Sequence, residues 1–500
     1  MSVERAVGIE RAIAAIRSAT IDDASPFAAS EVLTRRALGL ASPPDDDARR
    51  LKFWQSRVPG SRVGDDRYRW ELSHHRCKGG SHVPPVDQWR QLRPDAERDA
   101  EKAEVRISVP LSVAGGCEYL ATLAAGSGEL GEGAATLLAE AEPLFRRDLA
   151  AYVQATHPWT DTFALRCVAV RPRALDRLRP LALAIAASYA PLAEGGAVLG
   201  LRYPIHERPM VSATAQLATG LHALGLELRL LGRLLATVRA GQHDNGGFGD
   251  PMPEPFAEKL GREDALTTLV ATELLCTLDP SFDPAGALAW FGEQQRPDGF
   301  VLGFGPELLW LTGEVVLLAR AAARPFAERF RFPSVPSANL DRKTALPFYA
   351  FFDDLTHLFG ALPGLAGASV PVAFLDLAGF GAFNNAFGQD LGDAVLAAFA
   401  AELARVPFAR AIRDGGDEFI VVGAPDRRSL ASDLDELRKS WPARFRERFG
   451  SDVPTVAPRV LCTASAGREL RAARERLGRG MGAVKSASKS PPPEGVLQEI

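Results

Sequence analysis

The amino-acid sequence predicts a multidomain protein in which an all-α N-terminal region precedes a C-terminal α/β domain. Residues 1 to about 330 are rich in Ala and Leu at helical spacing. A stretch rich in Pro and Ser at 332–338 is typical of a linker. After it, apolar strand-like runs alternate with helical patterns, which favours a mainly antiparallel central sheet flanked by helices. We therefore divide the chain into a helical region (1–330), a linker (331–338), an α/β domain (339–490) and a flexible tail (491–500).

Composition narrows the class of protein. The chain has 500 residues, of which 46% are hydrophobic and 24% charged, as in ordinary globular proteins. A formal net charge of −4 gives no general attraction to nucleic acid or to anionic membranes. Five scattered cysteines without a CxxC pair indicate a reduced, cytoplasmic protein. The N-terminus lacks a signal-peptide pattern and no apolar run approaches about 18 residues, so we expect no membrane span.

Local patterns place the elements of the α/β domain. Apolar periodicity predicts three helices, at 346–359, 392–406 and 430–448. Runs of strand-forming residues predict four strands, at 370–376, 411–412, 419–422 and 458–464. The Ser/Pro-rich residues from 486 onwards predict a loose end of the chain.

The most informative stretch is Arg-Asp-Gly-Gly-Asp-Glu-Phe at 413–419. Strand-forming residues after a Gly-Gly pair predict a tight hairpin turn at Gly415 and Gly416. Glycines let a bulky ligand approach the backbone, and the carboxylates of Asp417 and Glu418 are suited to a divalent metal. The turn therefore suits phosphate chemistry.

Two further motifs give this turn a context. Residues 376–393 read D-L-A-G-F-G-A-F-N-N-A-F-G-Q-D-L-G-D. They resemble the pattern D-x-D-x-F-K-x-I-N-D-x-x-G-H-x-x-G-D of the GGDEF family, the diguanylate cyclases. The first Asp, the Phe, the Asn, both glycines and the last Asp are in register. Upstream, D-R-K-T-A-L-P at 341–347 resembles the family's opening D-x-L-T-G-L-P. The resemblance covers about 338–490.

The resemblance implies a metal site. Asp376 at the end of a strand and Asp417 in the turn would hold Mg²⁺ or Mn²⁺, with the Leu377 carbonyl as a further ligand. Such a metal bridges phosphates and activates a 3′-hydroxyl for in-line attack. Glu418 is either another ligand or the group that helps to deprotonate the hydroxyl. Asp376, Asp417 and Glu418 are therefore the candidate catalytic residues.

The resemblance also implies a GTP site. The backbone around Phe380, at 378–381, and the turn glycines Gly415 and Gly416 would face the nucleotide. Asn384 and Asp393 match the positions that read the guanine edge; the alternative is a loop amide and a helix N-cap. Near the C-terminus, two lysines take the places of Lys and Arg in the family's triphosphate-binding A-K-x-x-G-R, unless they belong to a solvated basic tail: Lys485 and Lys489.

Several positions depart from the family pattern. The second Asp of D-x-D is Ala378, the Lys after the Phe is Gly381, and the His after Gly388 is Gln389. The inhibitory R-x-x-D site is replaced by Val406 and Ala409, so we expect no product inhibition through it. This combination fits either a divergent active cyclase or a domain that binds GTP without turning it over. We favour activity because the turn and its metal residues are retained.

The helical region contains an internal repeat. Q-H-D-N-G-G-F at 242–248 recurs as Q-R-P-D-G-F-V at 295–301, 53 residues later, and an apolar helical pattern follows each copy. The pattern resembles the Gln–Gly–aromatic repeats of the α/α-toroid superfamily, which includes triterpene cyclases and protein prenyltransferase β-subunits. There the Gln caps a helix end. The repeats are clearest at 210–325.

The catalytic groups of the toroid enzymes are not found in this region. No D-x-D-D motif occurs, and Asp45-Asp46-Asp47 is expected to be a solvated run of charge. Cys276 lies among leucines and is expected to be a core thiol. The cluster of His74, His75, Cys77 and His82 lacks the second ligand pair of a typical zinc site.

Together these patterns predict a diguanylate cyclase that condenses two GTP into cyclic di-GMP with release of pyrophosphate. The family mechanism implies a homodimer in which two GGDEF domains face each other. The helical region would regulate it by binding an apolar small ligand or a partner protein. Two alternatives are a catalytically silent GTP-binding domain and a lipid- or isoprenoid-binding toroid protein that uses the GGDEF domain as a switch.

Overall fold

The protein is represented by a computed structural model that describes residues 8–21, 28–40, 44–55, 96–153, 158–191, 193, 210–250, 264–301, 309–335, 339–427, 429–487 and 495–499. The histidine and cysteine cluster at 74–82 and Lys489 lie outside these residues. The chain forms two compact units. No helix among the described residues has the length and apolar character needed to cross a membrane.

The first unit is helical and comprises Met1–Ala223, Arg233–Leu274 and Asp283–Ala323. Its helices bury Ala and Leu faces against one another, as the helical spacing predicts. The described helices of the N-terminal region, in chain order, are α1 (Ile9–Ser18), α2 (Ala28–Ala37), α3 (Pro44–Gln55), α4 (Ala96–Ala124), α5 (Glu129–Val153), α6 (Pro158–Ala169), α7 (Pro172–Tyr189), α8 (Val211–Leu224), α9 (Leu231–Ala240), α10 (Ala265–Leu278), α11 (Ala285–Glu293) and α12 (Leu309–Ala322).

The two copies of the 53-residue repeat have the same local structure. The Gln242 side chain donates to the Gly246 carbonyl at 3.0 Å, and Gln295 donates to Gly299 at 2.9 Å. Both glycines have positive φ, 91° and 96°, which favours glycine at these positions. Each glutamine therefore closes the turn that follows a helix and does not cap the helix end itself. The repeat is confirmed, whereas the toroid resemblance stays a prediction.

Each repeat turn is tied to the helix that follows it by a threonine. The Thr268 hydroxyl accepts the Phe248 N–H at 2.9 Å, and the Thr312 hydroxyl accepts the Val301 N–H at 3.0 Å. Phe248 and Val301 are fully or almost fully buried, so these hydrogen bonds satisfy backbone groups away from water. The turns are thus conserved in structure within the chain although their sequences differ.

The second unit comprises Leu224–Gly232, Leu275–Phe282 and Arg324–Ile500. Its two upstream segments come from the region that we assigned to the helical part, so the predicted boundary at 330 does not coincide with the division into compact units. Its helices include α13 (Phe326–Arg329), α14 (Tyr349–Ala361), α15 (Pro363–Gly367), α16 (Phe380–Phe387), α17 (Gln389–Leu403), α18 (Leu430–Phe449) and α19 (Leu470–Ala487). Its strands are β1 (Ser369–Leu377), β2 (Ala409–Gly415), β3 (Glu418–Gly423), β4 (Pro458–Ala466) and β5 (Val496–Glu499).

The strands form one mixed sheet in the order β2-β3-β1-β4-β5. All neighbouring pairs are antiparallel except β4 and β5, which are parallel. The central strand β1 is buried at every position after Ser369, which explains the apolar run from Val370 to Leu375 that precedes Asp376. The prediction of an α/β domain with a mainly antiparallel sheet flanked by helices is confirmed.

An aromatic cluster holds the helices on one face of this sheet. The Phe399 ring on α17 lies 5.0 Å from the Trp441 ring on α18 and 5.6 Å from the Phe419 ring on β3. The indole N–H of Trp441 donates to the Val456 carbonyl at 2.9 Å, so its polar atom is satisfied within the core. This packing fixes β3, and with it the Gly-Gly turn that precedes it.

The end of the chain differs from the prediction. Residues Val496–Glu499 form β5 and pair with β4, from Arg459 to Cys462. In addition, α19 continues to Ala487, beyond the point where we expected a loose end. The prediction of a flexible tail is therefore wrong for these residues, because pairing with a distant strand overrides the Ser/Pro-rich composition nearby.

Candidate active site

The Gly-Gly turn connects β2 to β3 at the end of β1. Asp376 on β1 lies directly opposite Glu418 on β3, and the Leu377 N–H donates to the Asp417 carbonyl at 3.2 Å. Gly416 has a φ of 47°, in the left-handed region that glycine tolerates. A Cβ at Gly415 or Gly416 would meet no atom within 4 Å, so the space beside the turn is open to a ligand.

Asp376 is the most deeply buried carboxylate of the site, with 3% of its side chain exposed. Arg459 on β4 donates to its Oδ1 at 2.8 Å, and the Lys485 Nζ on α19 lies 2.6 Å from its Oδ2. The same Lys485 nitrogen lies 2.8 Å from Glu418 Oε1. Two carboxylates from neighbouring strands therefore converge on one positive charge.

The ionisation of the site reflects this crowding. Burial, together with the negative charge of Asp376, raises the pKa of Asp417 above its usual value. For Lys485, burial alone would lower the pKa, but hydrogen bonds to Asp376 and Glu418 outweigh it and raise the pKa. The net result is an ammonium group held firmly in its charged form between two carboxylates.

Asp376 and Glu418 are suited to binding a cation, because both already contact the Lys485 ammonium group. This ammonium group stands where Asp376 and Glu418 would coordinate a divalent metal, since both carboxylates already contact one positive charge. Carboxylate oxygens are the ligands that Mg²⁺ prefers. Within the described ranges, no three His, Cys, Asp or Glu side chains form a group suited to a metal. The two carboxylates that converge on the position of the ammonium group are those of Asp376 and Glu418.

The two residues predicted to read guanine lie close together. Asn384 is on α16 and Asp393 on α17, and Asn384 packs against Gly392, the neighbour of Asp393 in the chain: a Cβ at Gly392 would lie 1.8 Å from Asn384 Oδ1. This glycine is therefore needed for the close approach. Asn384 Oδ1 is buried and has no hydrogen-bond partner among the described residues. A buried amide oxygen of this kind is suited to a ligand.

The loop between β1 and α16 agrees with the prediction only in part. The Ala378 N–H donates to the Ala457 carbonyl at 2.8 Å, so it is already used within the fold. Gly379 has a φ of 69° and precedes the first turn of α16. The Phe380 ring is 7% exposed and stacks on Phe383, so Phe380 can contact a nucleotide only through its backbone.

Three basic residues around the site were not predicted from the sequence. Arg459 pairs with Asp376, Arg474 pairs with Asp414 at the base of the turn, and Lys343 contacts Asp393. Only Arg459 had a recognisable signal: a charged residue at the start of a predicted buried strand needs a partner. The partners of the other two depend on tertiary packing.

Arg474 supports the turn from α19. It pairs with Asp414, and its guanidinium also lies 5.3 Å from the Tyr349 ring and 5.4 Å from the Phe374 ring. Burial raises the pKa of Asp414, and the charge of Arg474 opposes that shift. Arg474 therefore links α14, β1 and the residue immediately before Gly415.

Comparison with known proteins defines the class of this unit. Residues 338–454 match the family model described as diguanylate cyclase, GGDEF domain. The chain therefore contains a GGDEF domain at these residues. A search of curated proteins found no match.

Solved GGDEF structures are similar to about a third of the chain. The GGDEF domain of DgcB from Caulobacter crescentus, in complex with c-di-GMP, is 24% identical over 33% of this chain and 98% of its own, with a TM-score of 0.29. The diguanylate cyclase SiaD from Pseudomonas aeruginosa, in complex with its activator SiaC, is 24% identical over 32% of this chain and 62% of its own, with a TM-score of 0.27. The GGDEF domain of YfiN from Pseudomonas aeruginosa is 22% identical over 32% of this chain and 93% of its own, with a TM-score of 0.26.

Proposed function

We propose that the C-terminal domain is a diguanylate cyclase that condenses two GTP into cyclic di-GMP. The observation that carries the proposal is the convergence of Asp376 and Glu418 on one cationic position beside an open Gly-Gly turn. The match of residues 338–454 to the GGDEF family supports it. In this reaction each 3′-hydroxyl attacks the α-phosphorus of the other GTP, two phosphodiester bonds form, and two pyrophosphates leave.

Different residues of the site would bind the metal, orient the Asp376 carboxylate and bind the phosphates. Asp376 and Glu418 would hold Mg²⁺ or Mn²⁺, with Asp417 and the Leu377 carbonyl as further ligands. When bound, the metal neutralises phosphate charge and favours the ionised hydroxyl. Arg459 keeps the Asp376 carboxylate in place from within the sheet. Lys485 would exchange its carboxylate contacts for the phosphates, which carry more negative charge.

The nucleotide is held at its other end by the guanine-reading pair. Asn384 and Asp393 provide an amide and a carboxylate, which match the acceptor and donors of the guanine edge. Gly415 and Gly416 leave room for the nucleotide beside the turn. Lys489 is proposed to add a second positive charge near the triphosphate. Each domain would bind one GTP, so two chains must meet, and a homodimer is part of the proposal.

The helical unit is proposed to regulate this reaction. The two matching turns at Gln242 and Gln295 support a repeat architecture of the toroid type. Such a unit would bind an apolar small ligand or a partner protein, and this binding would change how readily two GGDEF domains associate. The four described cysteines, Cys117, Cys167, Cys276 and Cys462, are buried thiols, which supports the proposed cytoplasmic location.

A direct assay tests the proposed reaction. Purified protein is incubated with GTP and either Mg²⁺ or Mn²⁺, and the products are separated by chromatography. We expect cyclic di-GMP and pyrophosphate from the native protein, and no product from Asp417→Ala or Glu418→Ala. The same mixture with ATP added should give no mixed dinucleotide. Tight GTP binding without turnover would overturn the proposal and indicate a domain that only binds GTP.

A further inference from the structure

Asp393 does not stand alone at the guanine-reading position. The Lys343 Nζ lies 2.8 Å from both Oδ1 and Oδ2 of Asp393, so the ammonium group spans the carboxylate. The two residues are 50 positions apart in sequence and belong to different elements, the 341–345 turn and α17. Lys343 stands where the opening motif D-x-L-T-G-L-P has an apolar Leu. The positive charge beside Asp393 is therefore a departure from that motif.

The turn that carries Lys343 is well defined. Asp341 Oδ1 accepts the Lys343 N–H at 3.2 Å, the Thr344 N–H at 2.9 Å and the Thr344 hydroxyl at 2.7 Å. The Ala345 N–H donates to the Asp341 carbonyl at 2.7 Å. Burial would raise the pKa of Asp341, but the Thr344 hydrogen bonds outweigh it and lower the pKa. These hydrogen bonds fix the backbone of the turn. The Lys343 side chain therefore extends towards Asp393 from a fixed Cα position.

The pair matches the chemistry of guanine. Along one edge, guanine offers the O6 acceptor next to the N1–H and N2–H donors. A carboxylate accepts from the two donors, and an ammonium group donates to O6 or to the neighbouring N7. Adenine has an amino donor at position 6 and an acceptor at N1, so it would place a donor against Lys343 and an acceptor against Asp393.

We propose that Lys343 is a specificity-determining residue, which donates to guanine O6 or N7 while Asp393 accepts from N1–H and N2–H. The proposal deepens the proposed function, because it rests on GTP binding at this site. The Lys343 and Asp393 side chains are 53% and 38% exposed. An ion pair with this exposure contributes little by itself, so a base can enter between the two groups at low cost. The Asn384 Oδ1 atom, which has no hydrogen-bond partner among the described residues, lies against Gly392, the residue that precedes Asp393.

A rival interpretation predicts the opposite change in GTP affinity when Lys343 is replaced. If Lys343 only occupied Asp393 and competed with the base, its removal would free the carboxylate and strengthen GTP binding. Replacement of Lys343 by Met retains much of the side-chain length but removes the charge and all three donors. Lys343→Arg restores a charged donor at the same position. The direction of the change in GTP affinity therefore separates recognition from competition.

The test measures equilibrium binding of GTP, ATP and 6-thio-GTP to the full chain with metal present, each as its 3′-deoxy form, which lacks the attacking hydroxyl and is not turned over. We expect Lys343→Met to weaken GTP binding about tenfold, to leave ATP binding unchanged, and so to reduce the preference for GTP. Lys343→Arg should recover most of that loss. In the native protein, 6-thio-GTP should bind more weakly than GTP because sulfur accepts poorly, and this difference should vanish in Lys343→Met.

A matched control is available on α18. Lys439 also pairs with an aspartate, Asp435, at 2.5 Å, and its side chain is 64% exposed. Lys439→Met removes a similar surface ion pair and should leave GTP binding unchanged. Unchanged or tighter GTP binding by Lys343→Met would overturn the inference. A native protein that prefers GTP but forms no product would contradict the proposed reaction alone, whereas equal binding of GTP and ATP would contradict guanine recognition itself.

Discussion

Arg459 and Asp376 lie directly opposite each other on β4 and β1, and the guanidinium donates to the carboxylate across 2.8 Å. Only 6% of the Arg459 side chain and 3% of the Asp376 side chain are exposed. A buried charge destabilises the fold unless a charge of opposite sign lies beside it, so each of these residues depends on the other. The residue proposed to bind metal is thus also part of the interior of the sheet, which restricts the position of its carboxylate.

We expect Arg459→Met to destabilise the second unit. The substitution leaves one side of the buried Asp376 carboxylate without its counter-charge, which should lower the free energy of unfolding by about 3 kcal/mol. Hydrogen–deuterium exchange of β1 and β4 peptides in the full chain measures this loss. Arg446→Met, at an exposed position of α18, is the control and should leave the same peptides unchanged. Equal exchange in the two variants would contradict the prediction.

Lys485→Met should change metal and nucleotide binding in opposite directions. Its ammonium group contacts both Asp376 and Glu418, so its removal leaves two carboxylates free to bind a cation. We expect Mn²⁺ to bind several-fold more tightly without nucleotide, and GTP to bind more weakly because a phosphate contact is lost. Isothermal titration calorimetry measures both affinities. Weaker Mn²⁺ binding would show that Lys485 does not compete for the metal position.

Ala345→Gly should stabilise the protein. Ala345 has a φ of 55°, in the left-handed region that disfavours residues with a Cβ. Glycine removes that strain, and the gain should exceed its extra entropy in the unfolded chain, for a net increase of about 1 kcal/mol in the free energy of unfolding. Urea denaturation measures the change. Ala401→Gly, at an exposed position within α17, should instead lower stability, by about 0.5–1 kcal/mol.

Asp161 should make the stability of the helical unit depend on pH. Burial raises its pKa from 3.8 to about 7, although the Tyr189 hydroxyl, which donates to it at 2.6 Å, opposes the shift. The folded state thus binds a proton that the unfolded state releases near pH 4. Stability is therefore greatest below that pH and is lost as the pH rises towards 7, by about 2–3 kcal/mol between pH 5 and pH 7.

The Asp161→Asn variant tests this dependence. The amide has a similar shape and cannot ionise, so the stability of the variant should change less between pH 5 and pH 8. Chemical denaturation followed at several pH values in that range gives both slopes. Identical slopes for the native protein and the variant would show that Asp161 has the same pKa in the folded and unfolded chain.

Local patterns predicted most of the second unit because they depend on residues close in sequence. The buried run that became β1, the strands on either side of the Gly-Gly turn, and the helix at 430–448 were each found within a few residues of their observed bounds. The strand β5 was missed because four residues, Val-Leu-Gln-Glu, carry little signal without their partner β4. The pairing of two distant segments cannot be predicted from the residues of either segment alone.

The same distinction applies to the site. The carboxylates and the turn were predictable from spacing, and the structure brings Asp376, Glu418 and Lys485 together. Arg459 and Lys343 were missed because their roles depend on which side chain lies opposite, through sheet register in one case and a tertiary contact in the other. Phe380 is buried, which agrees with the expectation that this motif position faces the nucleotide through its backbone and not through its ring.

The second unit also includes Leu224–Gly232 and Leu275–Phe282. A C-terminal fragment that lacks these two segments would therefore lack part of its own compact unit. A Cβ at Gly232 would lie 2.5 Å from the Ala361 carbonyl, and one at Gly364 would lie 2.6 Å from the Asp279 side chain, so both segments pack closely against α14 and α15. Excision at the Pro/Ser-rich stretch at 332–338 would separate these segments from α14 and α15. Expression of the C-terminal part alone would therefore yield an incompletely packed product, and its solubility or activity would not represent the domain in the intact chain.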